Sequence, residues 1–292
     1  MRSAELDFKK VVIFGVGLIG GSFALALRRA GAVAEIVGFG RSMATLEQAR
    51  VLCIIDRIGQ DVAVEVGDAD LVLLATPVGQ MAELITRIAP HLGVRTLVTD
   101  GGSTKSDVVA AAYENMGAKV AQFIPAHPIA GAEQSGALAA RADLYVGKKV
   151  VLTPLPENSV GDLLRVRHAW EACGAVVSEL SAKQHDEVFA AVSHLPHLLS
   201  FALVHDIAQR ENKDLLLSFA ASGFRDFTRI AASSPEMWRD ICMANRDALL
   251  DELGRYMQEL EVIHEALADG DAAKLEDIFS LARDVRGNWT QQ

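Results

Sequence analysis

Near the start of the chain, Val11-Val12-Ile13-Phe14-Gly15-Val16-Gly17-Leu18-Ile19-Gly20-Gly21 passes from a short β-branched strand through a glycine-rich turn into an alanine- and leucine-rich helix. Few folds accommodate that succession. Gly15 permits a tight turn, Gly17 lets backbone N–H groups approach an anion, and Gly20 lets the helix, read as 22–29, pack closely on the sheet. With the helix N-terminus aimed at the anion, Gly15, Gly17, Leu18, Ile19 and Gly20 form the expected binding segment for a dinucleotide pyrophosphate.

The rest of the first part alternates in the same way. Strand-like runs at 10–14, 35–39, 71–76, 96–99, 123–124 and 149–152 are interleaved with helical runs at 22–29, 43–52, 81–89 and 106–116, and 176–179 adds one more strand. This alternation implies a parallel sheet with helices on both faces. From about Ser181 the apolar spacing becomes i, i+3, i+4 and reads as helix only. The expected architecture is a Rossmann-type, doubly wound α/β domain over 1–180, then an all-α helical domain over 181–292. With 292 residues, half of them apolar, both parts can bury a core. Pro196 falls inside the first long helix, where it should kink the helix and free a carbonyl near Val192. Ser234-Pro235 opens a later helix, and Gly270 separates the last two.

A net charge of −10 argues against nucleic acid or an anionic membrane as partner, since both need concentrated Lys and Arg. Three scattered cysteines suggest neither a disulfide framework nor a zinc site, and the first ten residues lack an apolar signal core. A cytoplasmic location fits. The apolar stretch 188–208 carries His194, Pro196, His197, His205 and Asp206, which favours a buried core helix over a membrane span.

Several residues could carry chemistry. About 20 positions beyond the glycine loop, an acidic residue would hold the ribose hydroxyls of NAD, but Gly40 stands there. Arg41 and Ser42 could instead bond a 2′-phosphate, which favours NADP, although Arg41 could equally stack on adenine with either cofactor. Thr76 and Pro77 end a buried strand beside the cofactor. Asp100-Gly101-Gly102-Ser103 brings Ser103 to the cleft, while Thr104 and Asp107 resemble a helix capping box. His127, fixed between Pro125 and Pro128 at the end of a short strand, suits a general base. His194 and His197 lie at i, i+3 without an apparent third ligand, so no metal is expected. Arg225 and Arg229, one helical turn apart, offer the guanidinium forks that carboxylates require.

Taken in order, Gly15-x-Gly17-x-x-Gly20, Asp100-Gly-Gly-Ser103, His127-Pro-Ile-Ala-Gly131, Ser193-His-Leu-Pro-His197 and Phe224-Arg-Asp-Phe-Thr-Arg229 resemble the prephenate/arogenate dehydrogenases of tyrosine biosynthesis. The resemblance implies a homodimer formed through the helical domain and an NADP- or NAD-dependent oxidative decarboxylation of a small cyclohexadienyl acid. His127 would take the ring-hydroxyl proton, and Ser103 would assist there and hold His127 in place. Arg229 would bind a carboxylate, while Arg225, His194, His197 and Trp238 would line or support the pocket. The chain length implies a monofunctional enzyme. Two other readings remain open here, a β-hydroxyacid dehydrogenase-like reductase, which would want a catalytic lysine, and a dinucleotide sensor without turnover.

Overall fold

A computed structural model describes residues 7–131, 134 and 136–289. In chain order the elements begin β1 (Phe8–Phe14), α1 (Leu18–Ala30), β2 (Val33–Phe39), α2 (Met43–Val51), β3 (Arg57–Ile58), α3 (Val62–Gly67) and β4 (Leu71–Leu74). They continue with α4 (Met81–Ile88), β5 (Leu97–Asp100), α5 (Ser106–Met116), β6 (Ala126–Pro128), β7 (Lys149–Leu152), α6 (Val160–Ala172) and β8 (Val176–Glu179). Only helices follow: α7 (Ala182–Phe189), α8 (Leu195–Ala208), α9 (Lys213–Ser218), α10 (Ser222–Thr228), α11 (Pro235–Ala244), α12 (Arg246–Asp269) and α13 (Ala272–Asn288).

Five strands form a parallel sheet in the order β3-β2-β1-β4-β5. Its central strands are apolar along their length because helices cover both faces. Val11, Ile13, Leu71 and Leu73 enter one core, and Val12, Phe14, Val72 and Leu74 enter the other. The order reverses between β1 and β4, and a ligand crevice opens at that switch point beyond the carboxyl ends of the strands.

The remaining strands depart from the expected single parallel sheet. A separate three-stranded sheet has the order β6-β7-β8, with β6 antiparallel to β7. Phe123 makes only an isolated bridge to Val98, and the strand proper is Ala126–Pro128, so His127 sits inside a short strand rather than after one. Pro128 is tolerated because β6 is the edge of its sheet. Helix α1 also begins at Leu18, a turn earlier than the glycines suggest. Packing overrides propensity there: a Cβ at Gly20 would lie 2.2 Å from the Gly15 carbonyl oxygen, and one at Gly21 would lie 2.8 Å from the Ala140 methyl.

At Pro196 the backbone does not simply break. A π-helical turn over Ala190–His194 joins α7 to α8, and Pro196 falls in the first turn of α8. The wider turn absorbs the bond that proline cannot make. The combined run Ala182–Ala208 is long and apolar enough to cross a membrane by length and composition, yet only 28% of its most apolar window is buried within this chain. It is therefore not the buried core helix expected, because one chain covers one side of a helix that is apolar nearly all round; α8 itself buries only Leu195 and Ser200.

By compactness the chain divides into Met1–Arg246 and Asp247–Gln292. The first unit keeps helices α7–α11 with the sheets, and hydrogen bonds from α5 to Asp186 of α7 are among its ties. In the second unit, Gly270 at φ +70° ends α12, and the Asp271 carboxylate caps α13 by accepting from the Lys274 N–H.

Candidate active site

The glycine turn lies at the switch point. Gly15 has φ +96°, and a Cβ on it would come within 2.3 Å of the Ala75 carbonyl oxygen, so the turn is pressed against the end of β4. Gly17, the N-cap of α1, has no heavy atom within 4 Å of where its Cβ would be. Space therefore opens in front of unpaired helix N–H groups, as an anion requires. Next to Ala75, the Thr76 hydroxyl is buried without a partner, a donor left over at the cradle. Together these features fit a dinucleotide. Leu18 and Ile19 start α1, and the Ile19 carbonyl accepts from the Tyr145 hydroxyl at 2.6 Å. Pro77 precedes a single 3-10 turn before α4.

Gly40 follows β2, and Arg41 is exposed beside it. Ser42 caps α2, its hydroxyl oxygen accepting from the Thr45 N–H at 3.2 Å.

At the ends of β5 and β6 a second group of polar side chains is assembled. The Asp100 carboxylate accepts from the N–H of Gly102 at 2.8 Å and of Ala126 at 2.9 Å, which ties the start of β6 to the end of β5. It also forms a wholly buried ion pair with Lys105. His127 Nδ1 lies 2.8 Å from His185 Nε2, and His185 Nδ1 lies 2.8 Å from Asp186 Oδ1. The Phe189 ring packs against both imidazoles at centroid distances of 4.9 and 4.5 Å.

Asp186 also accepts from the N–H of Lys105 at 2.8 Å and of Ser106 at 2.7 Å. The expected Thr104–Asp107 capping box is thus replaced: α5 has no side-chain cap of its own, and a carboxylate 80 residues away supplies one.

Burial pushes the pKa of His127 well below its usual value, and His185, Lys105 and His194 add to the effect. His185 is lowered by the same desolvation, partly opposed by its bond to Asp186. Burial works against ionising Asp186, but the hydrogen bonds from His185 and from Ser106 and Lys105 hold its pKa below the usual value. At neutral pH the chain is therefore a neutral pair of imidazoles ending on a carboxylate.

His194 is 1% exposed and its pKa falls to about 4, chiefly by burial. Its Nδ1 accepts from the Asn245 amide at 3.0 Å, and it is bonded to the Ser103 backbone. Asn245 also donates to the Asp186 carbonyl at 2.8 Å. His194 consequently supports the Ser103 loop from behind. His197 donates from Nδ1 to the Ser193 carbonyl at 2.9 Å and stacks on Trp238, with ring centroids 3.7 Å apart. Burial, together with nearby Arg229, lowers the His197 pKa. The Trp238 Nε1 is buried with no partner.

The structure thus brings His127, Ser103, His194, His197, Trp238 and Arg229 into one neighbourhood. Arg225 is exposed on α10. In the structure the hydrogen-bond partner of the His127 ring is His185. Sequence reasoning passed over His185, Asp186, Asn245 and the Asp100–Lys105 pair. A signal did exist for two of them: Ser181-x-x-Gln184 forms a capping box, which starts a helix at Ala182 and places His185 and Asp186 in its opening turns. Among the described residues, no three His, Cys, Asp or Glu side chains gather as a metal site.

A parallel sheet with an anion cradle at its switch point, followed by helices bearing neutral, buried histidines, defines a dinucleotide-dependent oxidoreductase. The comparisons narrow that class. The family model for the nucleotide-binding domain of prephenate dehydrogenase matches residues 23–179, and the one for its dimerization domain matches 181–281. A prephenate dehydrogenase of Bacillus subtilis is 36% identical, over 94% of this chain and 75% of its own length. A cyclohexadienyl dehydrogenase of Zymomonas mobilis is 33% identical, over 96% of this chain and 95% of its own. Among solved structures, a prephenate dehydrogenase of Aquifex aeolicus in complex with hydroxyphenyl propionate and NAD+ superposes with a TM-score of 0.89 at 34% identity, covering 98% of this chain and 99% of the other. Synechocystis arogenate dehydrogenase gives 0.81 at 30%, covering 96% and 100%. This chain belongs to the prephenate dehydrogenase family.

Proposed function

We propose that the protein oxidatively decarboxylates a cyclohexadienyl acid, prephenate or arogenate, in tyrosine biosynthesis, and that NADP is preferred over NAD. The observation that carries this reading is the neutral, half-buried His127 hydrogen-bonded at 2.8 Å to His185, in a chain of this family. A nicotinamide dinucleotide bound at the Gly15–Gly20 turn supplies the hydride acceptor.

The residues do the rest. His127, held neutral by desolvation, takes the proton of the ring hydroxyl as that carbon is oxidised. Arg229 binds a substrate carboxylate, and the Trp238–His197 stack forms a rigid wall beside it. Ser103, whose loop is braced by His194, assists at the hydroxyl. Loss of the ring carboxylate as carbon dioxide is driven by aromatisation, so orienting the ring and removing one proton are the main tasks left to the protein.

Support for NADP is the absence of a carboxylate at Gly40, with Arg41 exposed beside it. Residues 181–292 are proposed as the helical domain for substrate binding and homodimerisation. The family model matched to 181–281 supports this, as do the exposed apolar side chains Leu215, Leu217 and Phe219.

The test is the initial rate of reduced-nicotinamide formation with prephenate or arogenate against NAD or NADP. Turnover in at least one combination, lost by orders of magnitude in His127→Asn, is the expected result. Silence in all four with the dinucleotide still bound would overturn the reading. Sedimentation at micromolar concentration should show a dimer.

A further inference from the structure

To act as a base, His127 needs a bare nitrogen, and an imidazole has two nitrogens that can carry its one proton. The hydrogen-bond chain decides between them. Asp186 Oδ1 already accepts the Lys105 N–H, and as a carboxylate below its usual pKa it can only accept. His185 Nδ1, 2.8 Å away, must therefore carry the His185 proton and donate it. Neutral His185 then presents a lone pair at Nε2, and among the described residues the group facing that lone pair at bonding distance is His127 Nδ1. His127 must donate in turn, so its proton sits on Nδ1 and Nε2 is left bare.

We infer that Asp186 is a positioning residue: acting through His185, it sets the tautomer of His127 so that Nε2 is the nitrogen available as base. The inference rests on His127 being the base. It also explains why one carboxylate caps α5 and orders the histidines at the same time. The β5–α5 loop that carries Ser103, and the ring that works beside it, are registered to a single group on α7.

The alternative tautomer shows what is at stake. If His185 carried its proton on Nε2, it would donate to His127 Nδ1, and the His127 proton would move to Nε2 and block it. Asp186→Asn opens that state: with the amide oxygen on the Ser106 N–H, its NH2 takes the place of Oδ1, gives up the Lys105 N–H and faces His185 Nδ1 as a donor, whereas the flipped amide keeps the wild-type tautomers and gives up the Ser106 N–H.

Two readouts decide the matter. In protein labelled with 15N-histidine, long-range 1H–15N spectra, assigned with His127→Asn and His185→Gln, report which nitrogen of each ring is protonated. In the wild type, His127 and His185 should both be protonated on Nδ1; a His127 proton on Nε2 overturns the inference. In Asp186→Asn the tautomers should switch, and kcat should fall on the order of 100-fold with KM values within about threefold. A folded Asp186→Asn whose tautomers have switched but whose kcat stays within threefold of wild type also overturns it.

Should that variant fail to fold, His185→Gln and His185→Leu replace it. A glutamine carbonyl can still accept the His127 proton and leucine cannot, so Gln should retain at least about tenfold more kcat than Leu. Equal rates in those two refute the relay. Loss of the base assignment itself would read differently, as an active His127→Asn alongside unchanged tautomers.

Discussion

Replacing Gly17 with alanine separates the anion cradle from the fold that builds it. Gly17 caps α1 with φ −104° and ψ −151°, an extended conformation open to alanine, and nothing lies within 4 Å of the added Cβ. Alanine is a poorer N-cap than glycine by up to about 1 kcal/mol. It also restricts the unfolded chain, which returns about 0.4–1 kcal/mol. The two effects nearly cancel, and a residual within about 1 kcal/mol moves the melting temperature by roughly 2–4 °C. Binding has no such compensation. The methyl group stands where the pyrophosphate would meet the helix N-terminus, and relieving an overlap of that size costs about 1–3 kcal/mol. That corresponds to a rise of about 5- to 150-fold in the dinucleotide Kd. Gly20→Ala should behave in the opposite way, because its Cβ would meet the Gly15 carbonyl oxygen at 2.2 Å and Ile13 at 2.8 Å, so the fold itself is damaged. Melting curves without ligand and calorimetric titration with NADP and NAD separate the two effects. A Gly17→Ala protein with both melting temperature and Kd unchanged would show that the phosphates do not approach this backbone.

Gly40→Asp should shift preference toward NAD. The nearest atoms to its Cβ belong to the flexible Leu46 side chain, at 3.4 Å, and a carboxylate there repels a 2′-phosphate and bonds ribose hydroxyls; the ratio of kcat/KM for the two cofactors reads this, and an unmoved ratio refutes it. Arg229→Ala should raise the KM for the acid substrate by about 10- to 100-fold, the worth of about 1.5–3 kcal/mol for a charge-assisted bond, and an unchanged KM would remove the carboxylate assignment. Stability should fall in mild acid. His194 has a pKa near 4 in the native state against 6.5 otherwise, so between those values the unfolded chain binds more protons; this contribution is complete above about pH 6.5 and is lost as pH falls toward 4. Its size is on the order of 3 kcal/mol, with His127, His185 and His197 acting in the same direction. Urea midpoints between pH 7 and 4.5 should drop less steeply in His194→Gln than in the wild type, and identical slopes would contradict the assignment.

The parts of the fold open to sequence reading were those governed by local period. Strands β1, β2, β4 and β5 are readable because their runs are mainly apolar and largely buried on both faces, as in a parallel sheet covered by helices. Strand β3 and helix α3, with two and six residues, are too short to show any period. The reversal of β6 is invisible for a different reason. Pairing direction depends on where the connection returns the chain, and here Asp100 anchors Ala126 beside β5 while the strand pairs with β7. Nor could the exposure of α8 be read, because a helix apolar all round looks the same whether its own chain or a partner covers it.

The site divides along the same line, between residues marked by their own neighbours and residues marked only by contact. His127 stands out because flanking prolines stiffen its backbone, and Ser103 because glycines precede it. His185 and Asp186 have no local oddity large enough to compete. Their meaning lies in a ring 58 residues away and in backbone N–H groups 80 and 81 residues away. Desolvation is what gives that distant contact its force. An exposed Asp–His pair would be screened and free to turn, but at 4% exposure for Asp186 and 0% for His185 each donor and acceptor must be matched or left at full cost. If the network dictates the proton positions as inferred, the chemistry proposed for one histidine is a property of three residues on two elements.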